Sequence, residues 1–314
     1  MFQYLVKQAA ASVLVLLVVV TITFFLIGLA PGGLGLLADP NMDPEVRANI
    51  QRNLGLDQPL YMQYLNWMSN ILQGDLGRSF TFNRPVLDMI LERLSATLLL
   101  GAAALLITVV VGFSAGVIAA RFPNSLLDQV LSFISFVLLA TPGFWLGILL
   151  IIVFAVLLGW LPAAGMQTVG KSFDIADRLS YLVMPAIVLA AGTTAELMRY
   201  TRSSWLEIMN LDYIRTARSK GLAERVVHNK HVLRNALIPI LTIFGLFLPR
   251  LIGGAAVTET LFAWPGMGSM AVAAAVARDT PLVLGITIFI STAVILSNLL
   301  IDVLYSIIDP RIRY

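Results

Sequence analysis

Six apolar runs, each long enough to cross a bilayer, limit what this chain can fold into more than any other feature. They lie at about 9–29, 95–120, 128–158, 181–199, 238–260 and 282–306. An α-helix of about 20 residues spans the ~30 Å hydrocarbon core. Backbone polar groups in lipid must be hydrogen-bonded within the protein, which favours helices. We therefore predict an all-α membrane protein with six transmembrane helices.

The composition excludes a water-soluble globule. The chain is 58% hydrophobic and 12% charged, whereas soluble domains carry about 25% charged residues. It has no cysteine, which excludes disulfides and thiolate metal sites. Its two histidines, His228 and His231, share one charged loop, so we predict no metal site.

Two of the six runs are unusual. The first begins after Lys7 and ends before Pro31, which disfavours signal cleavage there, so we interpret it as a retained anchor. The third is too long for a straight span. Its Thr141-Pro142-Gly143 predicts a kink or an interfacial first turn.

The distribution of Lys and Arg predicts the orientation, because cytoplasmic loops carry an excess of both. With both termini inside, the short outer loops contain only Lys171, Arg178 and Arg278. The inside then carries most of the basic residues: Lys7, Arg121, Arg199, Arg202, Arg215, Arg218, Lys220, Arg225, Lys230, Arg234, Arg311 and Arg313. The prediction is N-in and C-in.

The outer segment 30–94 contains a predicted amphipathic helix. Its apolar and aromatic residues recur at helical spacing: Leu60, Tyr61, Tyr64, Leu65, Trp67, Met68, Ile71 and Leu72. Gly74-Asp75-Leu76-Gly77 then ends the helix. One interpretation is a helix at the lipid interface, where Tyr and Trp are enriched. The other is a platform for a soluble partner, and both remain open.

A phosphate-loop pattern occurs at Gly165-Met166-Gln167-Thr168-Val169-Gly170-Lys171-Ser172. Nucleotide binding through this pattern requires a β-strand before the loop and a helix after it. Here a membrane span precedes the loop, and the predicted topology places the loop outside the cell. We interpret the match as chance, so the chain is not expected to hydrolyse ATP itself.

The inner segment 200–237 is too polar to span and too regular for a linker. Residues 212–220 are typical of a short helix, and Gly221 can adopt the left-handed conformation that ends one. A second short helix then leads through Pro239 into the fifth run. We predict a stiff elbow in the cytosol. A basic anchor for lipid headgroups, the alternative, would need charge but not this placement of Gly and Pro.

The elbow carries a family resemblance. Arg215-Thr216-Ala217-x-x-x-Gly221, followed by Arg234-Asn235-Ala236-Leu237-Ile238-Pro239, resembles the cytoplasmic loop of ABC-importer permeases of the dipeptide/oligopeptide family, B-type subunit. The general importer pattern begins Glu-Ala-Ala, so this chain lacks the Glu that would pair with an ATPase. In that family the elbow docks in a groove of the ATP-hydrolysing subunit. The resemblance implies these coupling residues: Arg215, Thr216, Ala217, Gly221, Leu222, Glu224, Arg225, Arg234 and Asn235.

Three further stretches are similar to the same family. Leu54-Gly55-Leu56-Asp57-Gln58-Pro59-Leu60 and Gly74-Asp75-Leu76-Gly77-Arg78-Ser79 resemble its external loop. Glu259-Thr260-Leu261-Phe262-Ala263-Trp264-Pro265-Gly266-Met267-Gly268 resembles the turn after its fifth span, and Asp309-Pro310-Arg311-Ile312-Arg313 resembles its C-terminus. The motifs are collinear with the family over nearly the whole chain.

The resemblance implies a type I ABC importer (MetI-like) permease fold and a place in the bacterial or archaeal inner membrane. It divides the chain into an anchor and external loop (1–94), a five-helix core (95–308) containing the coupling loop (200–237), and a cytoplasmic tail (309–314). The implied function is uptake of peptides or similar solutes. The implied partners are a second permease subunit, two ATPase subunits that bind ATP and Mg²⁺, and an external solute-binding protein. No cofactor and no nucleic acid are expected on this chain.

Some residues are candidates for the translocation path. Arg250 is a basic residue well inside the fifth run, where an unpaired charge costs about 2.5–3.5 kcal/mol. We expect it to line the path or to pair with a carboxylate of the partner subunit. Residues at the outer mouth form either a gate or a simple connecting turn: Glu259, Phe262, Pro265, Gly266 and Gly268.

Two small-residue pairs, Gly112-x-x-x-Gly116 and Gly143-x-x-x-Gly147, predict close helix packing. Two rival classes are disfavoured. An ion-coupled secondary transporter tends to carry acidic residues at mid-span, and an intramembrane protease needs a nucleophile with a base there. The predicted spans contain few such groups.

Overall fold

The computed structural model describes residues 2–29, 43–53, 55–233, 236 and 255–308. Within these ranges all regular elements are helices, apart from one isolated bridge between Arg78 and Pro85. The chain divides into two compact units. Unit 1 comprises residues 1–96 and 266–295, and unit 2 comprises residues 97–265 and 296–314. The predicted division at residues 94 and 308 remains a prediction.

The helices are numbered in chain order. The first three are α1 Phe2–Leu29, α2 Pro44–Asn53 and α3 Leu60–Leu72. The next four are α4 Val86–Arg121, α5 Leu126–Ala140, α6 Gly143–Leu157 and α7 Ile175–Met209. The remaining five are α8 Asp212–Ser219, α9 at 224–233, α10 at 255–261, α11 Met267–Ala277 and α12 Thr280–Ile308.

Among the described residues, four helices are long and apolar enough to cross a membrane, namely α1, α4, α7 and α12, and the bent pair α5 and α6 makes up to five. α1, α4 and the α5–α6 pair match the first, second and third predicted runs. α7 and α12 match the fourth and the sixth. An all-helical membrane protein is thereby confirmed. The fifth run lies largely at 238–254, outside the described residues. Helices α2 and α11 were not predicted, because both are too short to span.

The break predicted at Thr141-Pro142-Gly143 is confirmed. α5 ends before Thr141, α6 begins at Gly143, and the two axes differ by 105°. Pro142 lacks the backbone N–H that would continue the helix, and it disfavours helical geometry in the residue before it. Thr141 is accordingly extended, with ψ 120°. Pro185, in contrast, lies inside the continuous helix α7.

Unit 2 is organised around close approach of α4 and α7. A Cβ built on Gly112 would lie 2.8 Å from the carbonyl oxygen of Thr194, and one on Gly116 would lie 2.5 Å from Cβ of Thr201. Both distances are too short for any side chain, so the predicted packing role of this pair is confirmed. Buried hydroxyls also meet here, with Thr108 Oγ1 2.9 Å from Thr193 Oγ1.

The two glycines of the second pair, Gly143 and Gly147, differ in how closely other residues approach them. A Cβ on Gly147 would lie 2.3 Å from Leu261 Cδ2 in α10, so this glycine allows close packing. A Cβ on Gly143 would reach only Val188, at an ordinary 4.0 Å. Gly143 instead begins α6 directly after Pro142.

Unit 1 packs the predicted aromatic helix against the anchor. Tyr64 and Trp67 of α3 lie 5.3 and 5.5 Å from the ring of Phe24 in α1, measured between ring centroids. The Tyr64 hydroxyl lies 2.7 Å from Thr21 Oγ1. Tyr61 on the same helix is exposed. The aromatic stripe therefore holds α3 on the first span, and its outer face stays available to lipid or to a partner.

Asp279, a buried carboxylate, secures the loop between α3 and α4 in unit 1. Its oxygens accept hydrogen bonds from the Ser79 hydroxyl and from the backbone N–H groups of Phe80 (3.1 Å) and Thr81 (2.9 Å). It also accepts one from Leu282 N–H in the first turn of α12. An anion at a helix N-terminus is favoured by the helix dipole. The loop and the last span thus share one carboxylate.

Gly116→Ala tests the close approach of α4 and α7. The added methyl group would force these helices apart, and overpacking of this kind costs about 1–3 kcal/mol. We expect a lower unfolding temperature for the purified transporter, measured by loss of the monodisperse peak after heating. Gly101→Ala is the matched control, because nothing lies within 4 Å of its added Cβ. Equal unfolding temperatures for both variants would contradict the packing.

Candidate functional site

The predicted elbow is present as two short helices joined by a glycine. α8 ends at Ser219, and Gly221 follows with φ +76°, a left-handed conformation that other residues adopt at a cost. Ala223 is extended, and α9 begins at Glu224. Most of α9 has the wider π-helical turns, over Val227–Val232. The predicted order of helix, glycine and helix is confirmed.

The inner face of the elbow is packed into unit 2. Ile214 and Ala217 of α8 and Val227 and Val232 of α9 are buried at no more than 6% exposure. They form one apolar cluster with residues of α4 and α7 and with Ala236, which follows α9: Ala120, Leu197, Trp205, Ile208 and Ala236. The elbow is therefore a rigid extension of the helices, because its core is continuous with theirs.

Trp205, which the sequence did not single out, is the centre of this attachment. It is 1% exposed, and its Nε1–H donates to Nδ1 of His228 at 3.3 Å while the two rings stack. The guanidinium of Arg121, at the end of α4, lies 5.9 Å from the indole centroid and donates to Asn229 of α9 at 3.0 Å. These contacts join α4, α7 and α9 at one point.

The predicted coupling residues fall into two groups. Ala217 is buried and packs the elbow, whereas the rest of the described set is exposed: Arg215, Thr216, Gly221, Leu222, Glu224 and Arg225. Arg234 and Asn235 lie outside the described residues. Leu222, 39% exposed, is an apolar side chain at the tip.

Arg218, which was not among the predicted coupling residues, links the two helices of the elbow across its tip. Its guanidinium bonds both oxygens of Glu224, at 2.8 and 3.3 Å, across the Gly221 turn. This bond lowers the pKa of the Glu224 carboxyl from its ordinary value. Glu224 therefore has a partner inside the elbow. The six-residue spacing between opposite charges across a glycine was the signal available in the sequence.

The phosphate-loop pattern has no nucleotide geometry. A helix, α6, precedes it, and Lys171 is paired with Asp174 at 2.7 Å and with Asp177 at 3.5 Å. Asp174 also caps α7, with its side chain accepting from Ala176 N–H. The lysine and the helix N-terminus that would hold a phosphate are thus both occupied by carboxylates.

The residues predicted at the outer mouth are mostly interior. Glu259 and Phe262 are buried at 0% and 1% exposure, and Thr97 Oγ1 donates to Oε1 of Glu259 at 2.7 Å. Phe262 packs on Met184 and Val188 of α7. Burial at both positions favours the alternative interpretation, a fixed connecting turn.

The glycines of the motif lie at the start of the next helix. Gly266 is the N-cap of α11, and Gly268 lies in the first turn and is buried. Pro265 precedes them at the end of unit 2. Arg250, the candidate for the path or for a partner carboxylate, lies outside the described residues.

Apolar helices long enough to span a membrane, with a basic elbow packed onto two of them, are typical of a membrane-spanning transport subunit. Comparison with known proteins names the family. The chain belongs to the binding-protein-dependent transport system inner membrane components, whose conserved region matches residues 112–314 and whose N-terminal region matches residues 1–101. The family predicted from the motifs is thereby confirmed, as are its inner-membrane location and its non-enzymatic role.

Two relatives match over the whole chain. The oligopeptide transport system permease protein AppB of Bacillus subtilis (strain 168) is 42% identical, covering 100% of both chains. The glutathione transport system permease protein GsiC of Escherichia coli O6:H1 is 39% identical, again over 100% of both. A solved structure of the MetNI methionine ABC transporter, facing inward, aligns with a TM-score of 0.55. It is 18% identical and covers 71% of this chain and 97% of that one, a likeness of fold.

The ring of His228 should titrate below the ordinary histidine pKa of 6.5. Burial lowers its pKa first, the positive charges of Arg121 and Arg218 lower it further, and Glu224 opposes them. The neutral ring of His228 accepts the hydrogen bond from Trp205. The contribution of this bond to stability is therefore complete above pH 6.5, and it is lost as the pH falls through the pKa that His228 has in the folded protein.

The measurement is a ¹⁵N-histidine NMR titration in nanodiscs. His228 and His231 are the two histidines of the chain, so His231→Gln leaves one signal. We expect its midpoint below 6.5, and we expect Trp205→Leu to move that midpoint towards 6.5 by admitting water. A midpoint at or above 6.5 with Trp205 in place would show that the ring is not held neutral.

Proposed function

We propose that this chain is the membrane permease subunit of an ATP-driven importer for peptides, with the elbow as its point of contact with a partner ATPase. One observation carries the proposal: the elbow has an exposed tip on a buried base that is continuous with two spanning helices. The peptide class rests on the oligopeptide transport system permease protein of Bacillus subtilis, which is identical at 42% of positions over the full length.

The proposed topology has six spans with both termini inside. The basic residues of α8 and α9 support it, because the positive-inside rule assigns them to the cytosol. The fifth span would occupy 238–260. The proposed partners are a second, related permease subunit, two ATPase subunits that bind ATP and Mg²⁺, and an external solute-binding protein.

The elbow can transmit movement because its base is fixed to the spanning helices α4 and α7. Trp205, Arg121 and Asn229 tie it to the ends of α4 and α7. A displacement of the tip therefore rotates these helices as a body. If ATP binding closes the ATPase pair, the elbow carries that closure to the spans and biases the cavity from inward-facing to outward-facing, as ligands bias any two-state protein.

Within this proposal, Glu259 and Phe262 support the outer turn from inside. Their burial supports a fixed boundary between the fifth span and α11, against which a gate can close. Arg250 is proposed to line the path or to pair with the partner subunit.

Leu222→Asp tests the proposed docking tip. A carboxylate placed at an apolar contact should be left desolvated, so we expect at least a tenfold loss of ATP-driven peptide uptake in proteoliposomes containing all subunits. The wild-type chain alone should neither hydrolyse ATP nor move peptide. In the complete complex, Leu222→Asp should also abolish the stimulation of ATP hydrolysis by the solute-binding protein.

Val169→Asp is the matched control. It makes the same change at an apolar residue that is 97% exposed, in the loop before α7. We expect wild-type uptake from it. Wild-type uptake by Leu222→Asp in an assembled complex, or uptake that follows an ion gradient in the absence of ATP, would overturn the proposal.

A further inference from the structure

The imidazole ring of His228, in α9, lies between the base of the elbow and its tip. On one side, the buried Trp205 of α7 donates from Nε1 to Nδ1 of His228 at 3.3 Å. On the other side, Nε2 of His228 lies 3.4 Å from Oε2 of Glu224. The same carboxylate accepts hydrogen bonds from Arg218 of α8. One ring therefore joins a helix long enough to span a membrane to both helices of the elbow.

The hydrogen bond from Trp205 requires one protonation state of the ring. An indole N–H can only donate, so Nδ1 of His228 must keep its lone pair and the ring proton lies on Nε2. A second proton would have to bind Nδ1. Two donors would then face each other and the bond would be lost. The neutral ring thus holds α9 on α7, and the charged ring cannot.

The charged groups around the ring favour its neutral form. Burial, and then the positive charge of Arg121 at the end of α4, lowers the pKa of the His228 imidazole. Glu224 opposes this shift, and Arg218 adds to it. Glu224 is itself more than half exposed and paired with Arg218, so solvent screens its attraction for the ring. The ring is therefore neutral at neutral pH and takes up a proton only in an acidified cytosol.

We propose that His228 is a positioning residue that couples the elbow to α7 only while its ring is neutral, so that acidification of the cytosol uncouples import from ATP hydrolysis. The inference rests on the proposed function, because it concerns the regulation of the same elbow. His228 acts through Trp205. With the bond in place, a displacement of the tip is passed on to α7. Without it, α9 can move before α7 follows, and ATP is hydrolysed without movement of peptide.

The test measures the amount of peptide transported per ATP hydrolysed, in proteoliposomes that contain all subunits. The ATPase side is held at about pH 7.5 or at about pH 5.5, on either side of the ordinary histidine range. We expect the wild-type ratio to be about fivefold lower at the acidic pH, because one hydrogen bond of ordinary net strength is lost. The intrinsic pH response of the ATPase subunits is common to all variants, so comparison between variants removes it.

Substitutions at both ends of the bond separate positioning from mere space filling. His228→Asn keeps an acceptor oxygen near the position of Nδ1 and does not titrate, so its ratio should stay high at both pH values. His228→Gln carries its amide further out, near the position of Nε2, so its ratio should be low at both.

Trp205→Phe removes the donor but keeps an aromatic ring, and it should also give a low ratio at both pH values. Combining it with His228→Gln should lower the ratio no further, because the two changes remove the same bond. His231→Gln, which changes the other histidine of the chain, is the matched control and should keep the wild-type pH response.

The outcomes separate this inference from the importer proposal. A ratio that falls equally with pH in the wild type and in His228→Asn would overturn the role of His228, and the observed ATP-driven uptake would leave the importer standing. Equal ratios for His228→Asn and His228→Gln would also overturn it.

A second measurement does not depend on transport. Because the chain contains no cysteine, spin labels can be placed at Lys220→Cys in the elbow and Val169→Cys in the loop before α7. We expect the distribution of distances between the labels to broaden at the acidic pH in the wild-type background and to stay narrow in His228→Asn. This result in a complex without ATP-driven uptake would retain the attachment through His228 and reject the importer. An unchanged distribution would reject the attachment.

Discussion

The close contact between α4 and α7 is the constraint on which unit 2 depends. At Gly112 and Gly116 the backbone of α4 lies directly against α7, next to the Thr194 carbonyl and the Thr201 side chain. Apolar side chains gain little from contact with each other in lipid, so packing at this distance supplies much of the association. The elbow is attached to the same two helices, at Arg121 where α4 ends and at Trp205 near the end of α7. The contact in the span therefore fixes the base of the elbow.

The elbow itself is stabilised in two different ways. Its base is apolar and buried, through Ile214, Val227 and Val232. Its tip is closed by the ion pair of Arg218 with Glu224, which is largely exposed and which we expect to contribute less than about 1 kcal/mol. Burial thus fixes where the elbow starts, and a weak surface pair shapes the part that would meet another protein.

The sequence predicted the features that repeat or that break a pattern. Apolar runs located the spans, Pro142 located the bend, and Gly221 located the turn of the elbow, because each has a direct local cause. The central role of Trp205 was missed because a tryptophan at a helix end is equally typical of a lipid interface. The paired charges of Asp128 and Arg202 were missed since a contact across 74 positions leaves no local signal. Glu259 was predicted at the outer mouth because its motif follows the fifth run, yet it is buried and accepts a hydrogen bond from Thr97.

The carboxylate of Asp279 has a consequence for how the protein is made. It anchors the loop at Ser79, 200 positions earlier in the chain. A ribosome delivers the N-terminal end first, so the early loop can reach its final contacts only after nearly all of the polypeptide has been made. Maturation of that loop is therefore a late event in biogenesis, and a truncated product that ends before Asp279 would carry a loop without its anchor.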